Sequence, residues 1–154
     1  MASTDREALI ALFRSTGGAG WRQRRNWDTD AGLATWEGVE VNDEGRVVKL
    51  DLGLNNLQGP IPSELGHLSA LKLYLQHNQL SGLISKELGV LRKLEDLNLG
   101  GNRLTGEIPA SLGQLVKLET LDLYENKLSG NIPPELGDLR QLQRLWLSDN
   151  HLTG

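Results

Sequence analysis

The amino-acid sequence predicts an α/β repeat: a right-handed solenoid with a concave parallel β-sheet, closed at its N-terminal end by a helix and a hairpin. Three observations carry this reading. Five asparagines, Asn55, Asn78, Asn102, Asn126 and Asn150, recur at intervals of 23, 24, 24 and 24 residues, and a fixed period of that size marks a stacked array. The residues around each asparagine follow one pattern, L-x-L-x-x-N-x-L-x-G-x-I-P-x-x-L-G-x-L. Ahead of the array, residues 4–16 carry helical periodicity instead. A unit this short cannot bury its own apolar face, so it stacks on its neighbours.

Residues 1–46 form the expected capping segment, and residues 47–154 hold four full repeats and a partial fifth with no C-terminal cap. In the cap, Thr4 and Glu7 have the spacing of a capping box. Leu9, Leu12, Phe13 and Thr16 fall on one helical face, and Gly17-Gly18 stops the helix. The loop from Trp21 to Trp27 interleaves arginines with tryptophans, a mixture also found where single-stranded nucleic acid stacks. The cap has little other apolar bulk, so both tryptophans are assigned to its core. Trp36–Val41 alternates like a strand, residues 42–45 turn, and Arg46–Leu50 returns as the second arm of a hairpin. Such a cover is physically required, because a bare repeat end exposes core and an unpaired sheet edge.

Each repeat divides into parts. The leucines of L-x-L (Leu50/Leu52, Leu73/Leu75, Leu97/Leu99, Leu121/Leu123, Leu145/Leu147) face the core, and the residues between them face the concave side. The asparagines turn the chain out of the strand and are expected to form a hydrogen-bonded ladder through the stack. Gly59, Gly82, Gly106 and Gly130 permit close backbone approach or positive φ. Ile61, Ile84, Ile108 and Ile132 are core positions, and L-G-x-L forms short 3₁₀ turns on the convex side. Repeat two lacks one residue between Leu71 and Leu73, which predicts a tightened coil or a displaced Leu71 with strand register kept from Leu73 onward. Ser85 takes the place of the usual proline, at an expected cost on the order of 1 kcal/mol or less in unfolded-state rigidity.

The blocks LQGPIPSELGHL, LSGLISKELGVL, LTGEIPASLGQL and LSGNIPPELGDL resemble the plant-specific class of leucine-rich repeats. That class builds plant receptor-kinase ectodomains and inhibitors of polygalacturonase. The resemblance implies a second short strand beside the main sheet. The segment from Ala34 to Val41 resembles the plant cap ending C-x-W-x-G-V-x-C: Trp36, Gly38 and Val39 match, while Ala34 and Val41 stand at the cysteine positions. ALIALFRSTGGAGW is similar to the cysteine-free cap of algal, protist and bacterial proteins. This second likeness implies a source outside land plants and a role as the recognition part of a Roco-type GTPase or nucleotide-switch receptor.

Composition narrows the function. A net charge of −4 argues against general nucleic-acid binding, and no apolar run has the length of a membrane span. There is no cysteine, no N-x-[ST] sequon and no signal-peptide pattern at the N-terminus. These features point to an intracellular protein, with secretion as the alternative. No motif for a nucleophile elbow, a zinc protease or a phosphate loop is present, so no enzyme activity, cofactor or metal is expected. His67, His77 and His151 fall at divergent repeat positions, and the concave acids Asp51, Asp96, Asp122, Glu125 and Asp149 read as a solvated face.

The remaining function is recognition. The concave candidates are Tyr74, Gln76, Asp96, Asn98, Asp122, Tyr124, Arg144 and Trp146; exposed aromatics on a rigid sheet are the usual anchors of an interface. Asp122 and Arg144 lie on neighbouring strands, close enough in the pattern to pair. The expected partner is a protein or peptide, or an oligosaccharide, bound by a monomer. An inhibitor of a secreted carbohydrate-active enzyme and a self-assembling array joined through the open C-terminal end are the alternatives.

Overall fold

The computed structural model describes residues 2–154; Met1, where the N-terminal reading began, lies outside them. A helix, α1 (Ala2–Ser15), leads into short 3₁₀ turns at Gly18–Gly20 and Leu33–Thr35, then an antiparallel hairpin of β1 (Val39–Val41) and β2 (Val47–Asp51). The main sheet continues in parallel through β4 (Lys72–Tyr74), β6 (Asp96–Asn98), β8 (Thr120–Asp122) and β10 (Arg144–Trp146). A second parallel sheet holds β3 (Gln58–Pro60), β5 (Gln79–Leu83), β7 (Arg103–Gly106), β9 (Lys127–Asn131) and β11 (His151–Thr153). Each coil closes through a 3₁₀ turn at L-G-x-L: Ser63–His67, Lys86–Val90, Ala110–Gln114 and Pro134–Asp138. The repeat glycines Gly59, Gly82, Gly106 and Gly130 all have positive φ.

The cap departs from expectation at two places. Helix α1 begins at Ala2, so Thr4 lies inside the helix and is not its cap. The extended arm is shorter than Trp36–Val41, because Leu33–Thr35 winds as 3₁₀ and Gly38 turns at φ 80°. A Cβ at Gly38 would lie 2.3 Å from the carbonyl oxygen of Asp51, so only glycine fits there. Phe13, Trp21, Trp27 and Trp36 form a chain of ring contacts in sequence order, edge-to-face for the first two and tilted for the last, at centroid distances of 5.1, 4.8 and 5.0 Å, and the three tryptophans are buried. Each indole N–H donates to a backbone carbonyl. Asp5, in the first turn of α1, is fully buried. It accepts two bonds from the Arg46 guanidinium (2.9 and 3.0 Å) and one from the Val47 amide (2.9 Å), tying the helix to the start of the main sheet.

In the array, the paired core leucines are buried from Leu50 to Leu123. In the last coil they are not: Leu145 is 40% exposed and Ile132 is also exposed, because no described residue stacks on that face. The asparagine column is continuous. The Asn78 amide donates to Leu52 and Leu75 carbonyls, and its oxygen accepts from the Asn55 and Leu57 amides. Asn102, Asn126 and Asn150 each repeat this linkage to the coil before them.

Repeat two keeps its strand register, with Leu50 opposite Leu73 and Asp51 opposite Tyr74. The missing residue is absorbed upstream. Ala70 takes the buried place held by Leu94 and Leu118 in the next coils, and Leu71 moves outward. The Leu71 amide bonds the Val48 carbonyl, and its own carbonyl accepts from Glu95, just as Glu95 in turn accepts from Glu119. Ser85 adopts φ −63° and ψ 130°, the conformation of the prolines at equivalent positions, and its hydroxyl accepts from the Glu87 amide at 3.3 Å.

Candidate functional site

The main sheet places one row of side chains in strict register across five strands: Asp51, Tyr74, Asn98, Asp122 and Trp146. Two residues further along each strand stand Gly53, Gln76, Gly100, Tyr124 and Ser148. The rim beyond is formed by Leu54, His77, Gly101, Glu125 and Asp149, all left-handed with φ between 54° and 67°.

The rows are filled unevenly, and the unevenness makes the site. Gly100 and Gly101 leave a gap in the third coil. The Tyr124 ring lies over Gly100, where a Cβ would come within 2.6 Å of it, and His77 lies over Gly101, within 2.5 Å of such a Cβ. The two rings meet edge to face across the glycines, with the Tyr124 hydroxyl 3.3 Å from His77 Nε2. Beside them Trp146 is 49% exposed. His77, Asn98, Asp122, Tyr124, Trp146 and Ser148 line a depression of about 450 Å³.

Asp122 forms the floor of that depression and is only 2% exposed. Its Oδ1 accepts from the Tyr124 amide at 3.1 Å; Asn98 makes the same bond to the Gly100 amide at 3.0 Å. Burial raises the Asp122 pKa above the ordinary carboxylate value, opposed by the Tyr124 N–H and by nearby His77. The Asp122–Arg144 pairing does not form: no such ion pair exists among the described residues. Trp146 stands directly opposite Asp122, and Arg144, opposite Thr120, is exposed. The reading of Asp122 as part of a solvated face is likewise corrected by its burial.

The other candidates form a separate group. The Tyr74 hydroxyl donates to Asp96 at 2.9 Å, Lys72 lies 4.0 Å from the same carboxylate, and the Lys49 ammonium sits 5.8 Å over the Tyr74 ring. Burial, with the Asp96 bond second, pushes the Tyr74 phenol up to about 12. Tyr74 and Asp96 therefore satisfy one another. Gln76 leans over Gly53, and its Oε1 is buried without a partner among the described residues. His77 and Ser148 were not among the sequence candidates. The signal that reveals His77 is the adjacent pair Gly100-Gly101, which opens the space its ring enters.

The Leucine rich repeat family pattern matches residues 92–152, and a second Leucine Rich Repeat pattern matches residues 46–68 and 70–91. The BIR2 ectodomain from Arabidopsis thaliana superposes with a TM-score of 0.90 at 34% identity, covering 97% of this chain and 82% of that one. The chain belongs to the leucine-rich repeat family. A further structural neighbour is PEPR1–AtPEP1 (TM-score 0.89, 31% identity, 100% of this chain and 22% of that chain). Another is a plant ice-binding protein (TM-score 0.90, 33% identity, 99% and 50%). Among curated proteins, the leucine-rich repeat receptor-like serine/threonine-protein kinase RGI4 of Arabidopsis thaliana is 44% identical over 91 residues, 51% of this chain and 8% of that protein. The chain thus spans a small part of that relative's length. Among the described residues, no helix is long and apolar enough to cross a membrane.

Proposed function

We propose that this leucine-rich repeat chain is a non-enzymatic recognition module that binds a protein or peptide partner on its concave sheet. The contact centres on the depression between His77, Tyr124 and Trp146. The observation that carries the reading is the arrangement over Gly100 and Gly101. Two rings are preorganised there, and a half-exposed tryptophan stands beside a buried carboxylate, on strands the asparagine column holds rigid. Preorganised aromatic groups bind without an ordering cost at the moment of contact. In one structural neighbour of this chain, PEPR1 is seen together with AtPEP1. A plant ice-binding protein has the same fold, so the fold alone does not choose the partner and the concave side chains must. A signalling or defence setting is the finer form of this proposal. Its host would be a Roco-type or nucleotide-switch receptor of algal type, as the cysteine-free cap suggests.

The test is affinity capture from source-cell extract with the wild type and a Tyr124→Ala/Trp146→Ala variant of matched circular dichroism. A partner retained by the wild type and lost by the variant is the expected result. Equal capture by both proteins overturns the concave site.

A further inference from the structure

The rim residues Leu54, His77, Gly101, Glu125 and Asp149 all lie in the left-handed region. Glycine, asparagine, aspartate and histidine enter that region at least cost; leucine does not. Leu54 is also 67% exposed; its amide donates to the Gln76 carbonyl at 3.0 Å, but its side chain is left to solvent. The Arg22–Arg25 loop lies beside it, and its backbone is fixed. The Gln23 amide donates to Asn55 Oδ1 at 2.6 Å, the Gln23 carbonyl accepts from Asn55 Nδ2 at 2.9 Å, and the Arg22 amide donates to the Asn55 carbonyl at 3.3 Å. Asn78 makes the corresponding bonds to the Leu57 amide and the Leu52 carbonyl. Gln23 therefore pairs with Asn55 in the manner of a preceding coil, and its sequence neighbours Arg22 and Arg24 lie on the loop beside Leu54. The side chains of Arg22, Arg24 and Arg25 are exposed. Of the three, only Arg25 has a carboxylate within ion-pair distance among the described residues, Glu37 at 3.9 Å. At the opposite end of the row, Glu125 and Asp149 are exposed and form no ion pair among the described residues.

We propose that this rim is a polar track that orients an extended peptide segment of the partner. Acidic and apolar side chains of the segment meet Arg22, Arg24 and Leu54, and basic side chains meet Glu125 and Asp149. The inference rests on the concave-recognition reading and adds direction to it. From the arginine loop to Asp149 there are five steps of about 4.8 Å, or about 24 Å, which an extended chain spans with about seven residues. A uniform polyanion such as RNA fits less well, since it would meet two carboxylates at the far end.

The experiment is selection of a displayed random-peptide library on the intact wild-type chain, followed by fluorescence-polarisation titration of the enriched peptides. Enriched sequences should carry an acidic-apolar cluster separated from basic residues by roughly the length of the track. Reversal of both arginines (Arg22→Glu, Arg24→Glu) should weaken them about tenfold. Leu54→Asn, which relieves the left-handed strain, should weaken them as well while leaving the melting temperature equal or higher. Four results would count against the track. Peptides that lose binding with Tyr124→Ala/Trp146→Ala, yet ignore the arginine and Leu54 variants, overturn it and leave the concave site standing. Failure to enrich any peptide, or peptides indifferent to both sets of variants, overturns both. Retention of heparin through the same arginines, with no acidic bias in the peptides, overturns the peptide assignment.

Discussion

At the scale of single residues, Asp122 is the side chain whose environment most exceeds what its position alone implies. The other concave acids are exposed or hydrogen-bonded to a partner side chain; this one is buried in the depression it shares with Tyr124 and Trp146, and its pKa is raised. The folded chain holds the Asp122 proton to higher pH than the unfolded chain does. Its stability contribution therefore falls as pH rises through that interval, and the ionised group destabilises the fold above it. Asn98 shows that an amide makes the same bond one coil earlier. Asp122→Asn should therefore leave the protein more stable than the wild type at pH 7. Urea melts should show the gain vanishing below the ordinary carboxylate range. A loss of stability at pH 7 would mean that the charge is offset by something not yet identified. The burial of Asp122 is not legible in the sequence, because the residues that share its depression, Tyr124 and Trp146 among them, come from different positions and coils of the repeat.

At the scale of elements, periodicity made the strands, the paired core leucines and the 3₁₀ turns legible, since one wrong register would turn every leucine to the wrong face. The cap was less legible. Thr4 and Glu7 have capping-box spacing, but the helix begins two residues earlier and Asp5 is used for a long-range pair with Arg46. Local spacing cannot reveal a partner forty residues away. Ser85 shows a similar limit. In the repeat pattern it stands as a lost proline, yet its hydroxyl caps the following 3₁₀ turn. Ser85→Pro removes that bond and restricts the unfolded chain, two effects of about 0.5–1 kcal/mol with opposite sign, so the net change should be within about 0.5 kcal/mol. Ser85→Ala loses the bond without the compensation and should cost about 0.5–1 kcal/mol. Thermal melts of the two variants test this ordering; an alanine variant as stable as wild type would show that the cap bond contributes nothing.

At the scale of the whole molecule, stability is local to neighbouring coils, because each coil touches only the next. Asp5→Ala removes the ion-pair partner of the partly exposed Arg46, which keeps its bond to the His67 carbonyl, and leaves the Val47 amide without its acceptor, a loss of about 1–3 kcal/mol. That loss should appear first where it acts. Hydrogen exchange should accelerate in α1 and the β1–β2 hairpin while β6 and β8 stay protected. Uniform acceleration along the chain would mean that the coils unfold as one unit instead. The asparagine column has a last consequence. It joins coil to coil entirely through side-chain amides and backbone groups, and no concave side chain takes part in a rung. Shape and surface are therefore specified by different letters of the same repeat. The concave letters can be rewritten one at a time, with nearly additive effects where they do not touch, while the scaffold beneath them keeps its form.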